Sequence, residues 1–396
     1  MHKKVTLKPT KEKSILRRHP WVFSGAIKNL EQGIINGDIV EIINNKGRFL
    51  GYGHYNEGSI AVRLFEFSAV EINESYWKLK LERAIQHRLT SLNINKHNNI
   101  YRLVHAEGDD MPGCIIDVYN NVMVIQFHSI GMWRLRSQFA KILAKLMPEI
   151  DVIYDKSENT IPGSFKQEFN VKNEYLLKKV DDNQIVATEN GNQFIINWET
   201  GQKTGFFIDQ RENRKLLATM SKDKKVLNTF CYSGGFSIYA LNAGAKEVHS
   251  LDSSKKAMEL VEENVALLDK KLQQKHKSIT QDAMDYIKNL PEDFDVIILD
   301  PPAFAKHIKS KNKAVQGYKR LNTRAIEKVK SGGLIFTFSC SQVIDNELFK
   351  HIILSASIVA NRKVSILHQL HQPQDHPVNI YHPESEYLKG LVIKVY

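Results

Sequence analysis

Hydrophobic positions keep different rhythms in different parts of the chain. Over residues 1–70 they alternate in short runs, Asp38-Ile39-Val40-Glu41-Ile42-Ile43 and Ile60-Ala61-Val62-Arg63-Leu64-Phe65. The turn Asn44-Asn45-Lys46-Gly47 and the glycines Gly51 and Gly53 punctuate them. Alternation broken by turn residues predicts a small β-barrel. From Asn73 to Arg88 the spacing of Tyr76, Trp77, Leu79, Leu81, Ala84, Ile85 and Leu89 is helical. Two runs flanking Asn120-Asn121, Gly113 to Tyr119 and Val122 to Phe127, predict a hairpin with Cys114 packed inside it. A helix over 131–146 and a strand near Val152-Ile153-Tyr154 complete an α+β domain over 73–185, whose polar end, 155–185, predicts strands and loops.

Over residues 190–396 the pattern becomes strand and helix in alternation. Lys225 to Thr229, Glu247 to Leu251, Phe294 to Leu299 and Gly333 to Phe338 are strand-like, with amphipathic stretches such as Ser254 to Leu268 between them. Such spacing makes a doubly wound parallel sheet. The last two runs, Val364 to Leu367 and Leu388 to Val395, are joined by a turn-rich link and should pair antiparallel. A parallel α/β sheet with an antiparallel terminal hairpin is the sheet of class I methyltransferases.

Composition narrows the setting. A 396-residue chain with 42% hydrophobic and 25% charged residues is globular in character and too long for one ordinary core. The formal charge of +11 favours a polyanionic partner. No uncharged apolar stretch reaches the ~20 residues that span a bilayer, and the start lacks a secretory core. The 3 cysteines, without CxxC spacing, exclude a disulfide framework and argue against structural zinc. The expectation is a cytoplasmic protein without metal.

Candidate chemistry gathers where strands end, because open α/β sheets bind ligands beyond their carboxyl edges. One strand ends at Asp300-Pro301-Pro302, and the next runs into Phe338-Ser339-Cys340-Ser341. A thiol and a carboxylate facing one crevice suit attack on a pyrimidine ring. The bland alternative is that Cys340 is a small buried hydrophobe. Earlier, Cys231-Tyr232-Ser233-Gly234-Gly235-Phe236-Ser237 follows Phe230 and opens a helix; its glycines let a ligand approach the backbone. Asp252 and Ser253 end the second strand, where a carboxylate can accept ribose hydroxyls, and Asp282-Ala283 falls where adenine would lie. A nicotinamide cofactor fits the first half of this pattern; Asp-Pro-Pro and the antiparallel finish favour S-adenosyl-L-methionine. At the front of the chain Lys11, Arg17 and Arg18 are interleaved with His19, Trp21 and Phe23, a mixture that suits RNA, although charge runs are also ordinary solvated surface.

The chain resembles bacterial large-subunit ribosomal RNA cytosine-C5 methyltransferases that carry an N-terminal PUA domain. The likeness rests on Leu16 to Gly25, His105 to Asp109 with Pro112-Gly113, Gly201 to Arg211, Phe230 to Ser237, Asp300 to Phe304, Phe338 to Ser341 and Asp375-His376-Pro377. The resemblance implies a PUA domain, a central α+β domain and a Rossmann-like catalytic domain. It implies S-adenosyl-L-methionine as cofactor and S-adenosyl-L-homocysteine as product. Asp209, Gln210 and Arg211 would border the cofactor, Tyr232 to Phe236 would hold its methionine end, Asp252 its ribose, and Asp282 with Ala283 its adenine. Asp300 and Pro302 would close the same site.

Such chemistry needs a thiolate, because cytosine C5 becomes enamine-like only after addition at C6. Cys340, after a strand and before a predicted helix, is expected to be activated by a positive charge or a helix N-terminus. Asp300 would share a proton with cytosine N3 from an apolar pocket. The base must be flipped out of its stack, with Phe304 a candidate stacking partner or else a loop anchor. Where related enzymes carry a second cysteine this chain has Asp-Pro-Pro, so the base that takes the C5 proton is unassigned. Asn228 stands where many methyltransferases place an acid. The alternatives are uridine-C5 or exocyclic-amine methylation on the same fold, and a non-catalytic RNA-binding or ribosome-assembly factor. Ribosomal RNA is the expected partner, and a homodimer is compatible with it.

Overall fold

The structure, a computed structural model, describes residues 2–291, 293–305 and 307–396. The chain divides into two compact units: Met1–Ala187, Ile196–Ile208 and Gln374–Ser385 form one, and Thr188–Ile195, Asp209–Pro373 and Glu386–Tyr396 the other.

The first unit contains the N-terminal and central regions. A six-stranded sheet runs, in spatial order, through Trp21–Phe23, Ile60–Glu66, Phe49–Tyr55, Ile39–Ile43, Lys3–Leu7 and Ile27–Leu30. Its alternating residues Val5, Leu7, Val40, Ile42, Val62 and Leu64 fill a small core. The central region has a five-stranded sheet over Ile100–His105, Cys114–Tyr119, Val122–Phe127, Val152–Asp155 and Glu174–Leu177. The helix Glu74–Ser91 packs beside it, with Asn73 accepting the Tyr76 amide as its cap. Phe65 shares a core with Trp77, Phe127 and Phe139, so the barrel and the central region are not separable blocks. Two details differ from the sequence pattern. The stretch expected as one helix is two, Ile130–Arg134 and Arg136–Leu146, and the polar end holds a short helix, Gly163–Glu168.

Residues 374–385 lie in the first unit although their neighbours in sequence belong to the second. Arg88 is fully buried, pairs with Asp109 at 2.5 Å and donates to the Asp375 carbonyl at 2.8 Å. The Arg102 amide donates to Asp375 Oδ2 at 2.9 Å, and Asn379 donates to the Glu107 carbonyl at 2.9 Å. A side chain at Gly108 would meet the Pro377 carbonyl oxygen at 2.1 Å, so the segment seats only against glycine.

The second unit is a seven-stranded sheet. Its strands are β1 (Lys225–Thr229), β2 (Glu247–Asp252), β3 (His276–Thr280), β4 (Phe294–Leu299), β5 (Val329–Ser339), β6 (Val364–Leu370) and β7 (Lys389–Val395). The spatial order is β3-β2-β1-β4-β5-β7-β6. β1 to β5 are parallel, and β7 alone runs antiparallel to both its neighbours. The central strands are apolar on both faces because helices cover both, which is why they read as unbroken hydrophobic runs. The core holds Leu227, Leu251, Ile297, Leu299, Ile335, Leu391 and Ile393.

Candidate active site

Register builds the site. Thr229 pairs with Leu251 on one side and with Leu299 on the other, and Leu299 pairs with Thr337. Strand ends are therefore level, and Phe230, Asp252, Asp300 and Cys340 all leave the sheet at its carboxyl edge, on either side of the point where strand order reverses.

The loop after β1 is strained. Phe230, Tyr232 and Gly234 have φ of 55°, 47° and 76°, and only the glycine adopts that region without cost. Two non-glycine residues in this region cost about 1–3 kcal/mol each and persist only where neighbours enforce them. Here the neighbour is Asp252, whose Oδ2 accepts the Tyr232 amide at 3.1 Å while Oδ1 accepts the Ser254 amide at 2.9 Å. Asn264 holds the Ser233 carbonyl at 2.8 Å. Gly234 then caps the helix Gly235–Asn242, with Phe236 buried against Phe338. Beneath the loop Arg214 and Glu189 form a buried ion pair at 2.8 Å that the sequence pattern did not reveal.

Asp209, Gln210 and Arg211 precede and begin the helix Arg211–Thr219. Asp209 Oδ2 accepts the Tyr387 hydroxyl at 2.8 Å, and its Oδ1 is buried with no hydrogen-bond partner among the described residues. Asn213 donates to Gln210 Oε1 at 2.6 Å, which turns the Gln210 amide nitrogen toward Asp300 Oδ2 at 3.1 Å. A proton on Asp300 therefore sits on Oδ1, the oxygen that Gln210 leaves open. Burial, then the negative charge of Asp209, push Asp300 up to about 7, so it is substantially protonated at neutral pH.

Cys340 is half-buried, whereas Cys114 and Cys231 are fully buried packing residues. Its flanking serines point inward: the Ser341 hydroxyl meets Tyr318 at 3.0 Å and accepts the Ala305 amide at 3.4 Å, tying the Asp300-Pro301-Pro302 loop to the Cys340 loop. The expected activation by a helix N-terminus is not what the structure shows. The next helix starts at Asn346 and is capped by Asp345. Burial, Asp300 and Asp209 instead push the thiol up to about 11, and Lys389 opposes them.

Other expected residues take different places. Asp282 caps the helix Ala283–Lys288, accepting the Met284 and Asp285 amides, with Ala283 buried behind it; Ser253 and Pro302 are exposed. Asn228 donates to Ser237 inside the sheet, and its Oδ1, like Asp209 Oδ1, is a buried acceptor without a hydrogen-bond partner among the described residues; of the two, only Asp209 is an acid. Phe304 packs on Tyr318 at 4.5 Å and crowds Gly317, the position of a loop anchor. In the first unit Trp21 donates to Glu107 at 3.0 Å and lies 4.3 Å from His382, so Trp21 and His19 are engaged within the chain, while Lys11, Arg17, Arg18 and Phe23 are exposed. His19, His382 and Glu384 bring ligand-type atoms within 4.8 Å of one another. The Trp21 amide donates to His19 Nδ1, however, which places the neutral ring's proton on Nε2, the atom a metal would need.

Fold and site together define an S-adenosylmethionine-dependent methyltransferase. The family model of that description matches residues 173–384, and a PUA-like domain model matches residues 5–67. The chain is 39% identical to the ribosomal RNA large subunit methyltransferase I of Pseudoalteromonas atlantica, covering 100% of both, and 38% identical to that of Alteromonas mediterranea, covering 100% of this chain and 99% of the relative. The chain belongs to this family of ribosomal RNA large subunit methyltransferases. A candidate methyltransferase solved in complex with SAH superimposes with a TM-score of 0.84 at 25% identity, covering 99% of each chain. Among the described residues, no helix is long and apolar enough to cross a membrane.

Proposed function

We propose that the protein forms 5-methylcytosine in large-subunit ribosomal RNA, with Cys340 as the nucleophile that adds to C6. One observation carries the choice of base: Gln210 occupies Asp300 Oδ2 and leaves Oδ1 open, while burial raises the carboxyl to about 7, at the edge where Cys340 emerges. Cytosine N3 is an acceptor and takes a proton from that carboxyl, whereas uracil N3 carries its own hydrogen and would need the opposite partner. The edge also fits the cofactor. Asp209 Oδ1 is an unsatisfied buried acceptor suited to the methionine ammonium, and the strained loop 230–236 offers backbone to its carboxylate end. Asp252 would accept from the ribose, and Asp282 and Ala283 would lie by the adenine.

When bound, S-adenosyl-L-methionine supplies an electrophilic methyl group. The Cys340 thiolate donates its electron pair to C6, and the C5=C6 π electrons are conjugated onto N3 as Asp300 gives up its proton there. C5, now enamine-like, takes the methyl. A base then takes the C5 proton, the C5=C6 double bond re-forms as the thiolate leaves, and N3 returns its proton to Asp300. Nucleoside mass spectrometry of ribosomal RNA from cells with and without the protein tests the assignment. Loss of 5-methylcytidine at one large-subunit position is expected. Loss of a methyluridine or an N-methylated base would overturn it.

Asp252→Ala is expected to weaken S-adenosyl-L-methionine binding by about 1–3 kcal/mol, because it removes a charged acceptor and releases the Tyr232 amide. Calorimetry checks this, and unchanged affinity would remove Asp252 from the site. For RNA, the exposed Lys11, Arg17 and Arg18 are the proposed phosphate partners, and Arg18 also lines a cavity of about 370 Å³ with Lys80, Arg83 and Tyr381. Deleting residues 1–70 would tear Phe65 from the shared core, so point changes are the cleaner probe. Arg17→Ala with Arg18→Ala should weaken RNA binding and flatten its log–log salt dependence by about 0.7 for each phosphate no longer neutralised, with cofactor affinity unchanged. An unaltered salt slope would place the RNA elsewhere.

A further inference from the structure

Lys389 is a basic residue in an otherwise apolar strand start, Leu388-Lys389-Gly390-Leu391-Val392-Ile393, and only 3% of it is exposed. It pairs with Ser339 across the β5–β7 ladder, one residue short of Cys340. Its Nζ donates to the Ser341 carbonyl at 2.9 Å and to the Tyr387 carbonyl at 2.6 Å. Two carbonyl dipoles position an ammonium but do not neutralise it, and no carboxylate among the described residues lies within ion-pair distance. A buried cation without an anion is costly unless an anion forms beside it when needed. Cys340 lies one residue before the carbonyl that Lys389 grips: Asp300 and Asp209 both disfavour its thiolate, and Lys389 is the cation that opposes them.

We infer that Lys389 is the positioning residue that sets the ionisation of Cys340, its ammonium offsetting the negative charge as the sulfur becomes a nucleophile. The pair loses one proton to solvent. The proton that remains lies on nitrogen when sulfur attacks, so the pair then stands as ammonium and thiolate without net charge. Burial pulls Lys389 down to about 8, while Cys340, Glu386 and Asp345 act to raise it. Two groups coupled in this way titrate as a pair.

The inference rests on Cys340 being the nucleophile, but its test needs no RNA. Peptide-resolved alkylation of Cys340 by iodoacetamide, measured from pH 6 to 10, reports the thiolate directly. In Lys389→Met the rate at pH 8 should fall about tenfold or more, the consequence of a shift of one unit or more. Lys389→Arg, which keeps the charge, should restore most of it, and S-adenosyl-L-methionine affinity should hold in both variants. Because coupling is reciprocal, Cys340→Ser should shift the Lys389 titration, followed by NMR of ε-labelled lysine, and this decides the matter if Lys389→Met does not fold. An unchanged alkylation profile, or an unchanged Lys389 midpoint, would overturn the inference. A shifted profile in an enzyme that forms no adduct with RNA would count only against carbon methylation.

Discussion

Cys340→Ala should lower methyl transfer by about 10³-fold or more while leaving S-adenosyl-L-methionine affinity within about threefold. The thiol sits at the end of β5, on the far side of β4 from the Phe230–Phe236 loop, and so would touch the base rather than the cofactor. Single-turnover transfer of labelled methyl to ribosomal RNA, paired with calorimetry, separates the two effects. Full activity would reduce Cys340 to a half-buried packing residue, and a large loss of cofactor affinity would mean it shapes the wrong half of the site.

Asp300→Asn should cut transfer by about 10²–10⁴-fold and, in the same variant, raise stability at alkaline pH. The two outcomes share one cause. The carboxyl is raised from 3.8 to about 7, so the folded protein holds a proton that the unfolded chain has already lost. Its contribution to stability is present below about pH 4 and drains away as pH rises through 7. Asparagine keeps the acceptor for Gln210 and never ionises, so it should stabilise by about 1–3 kcal/mol at pH 8, after allowance for partial exposure, and by little at pH 4. Thermal unfolding at both pH values checks this. A melting temperature that falls equally at both would show that Asp300 is a structural acceptor.

The sheet was legible because its strands lie between covering helices: Val226, Ile297 and Ile335 form apolar runs for the same reason that they are buried. That Asp252, Asp300 and Cys340 share one edge was legible because each ends or follows a strand of one parallel sheet. Other features depend on residues distant in sequence. Phe230 and Tyr232 are not residues that favour left-handed backbone; Asp252, on the neighbouring strand, helps to hold them there. The orientation of Asp300 depends on Asn213 turning Gln210, which no local pattern records. Residues 374–385 pack in the first unit through Arg88 and Arg102, a partnership across more than half the chain. Lys389 did leave a trace, a lone cation in a buried strand, and a residue of that kind is costly unless its charge has a use. The expected helix N-terminus failed because Asp345 delays the helix to Asn346, leaving Cys340 on the loop before it. The contacts of Trp21 and His19 were not legible because Glu107, His382 and Glu384 come from remote segments to meet them.

The most direct test is to trap the base on the enzyme. Incubating the protein with S-adenosyl-L-methionine and a large-subunit ribosomal RNA fragment carrying 5-fluorocytidine blocks loss of the C5 substituent, so the methylated adduct cannot resolve. Tryptic mass spectrometry should then find a methylated fluorocytidine on the peptide containing Cys340, absent from Cys340→Ala. Quantitative methylation of the unmodified fragment, with no adduct from the fluorinated one, would contradict attack by Cys340 on carbon.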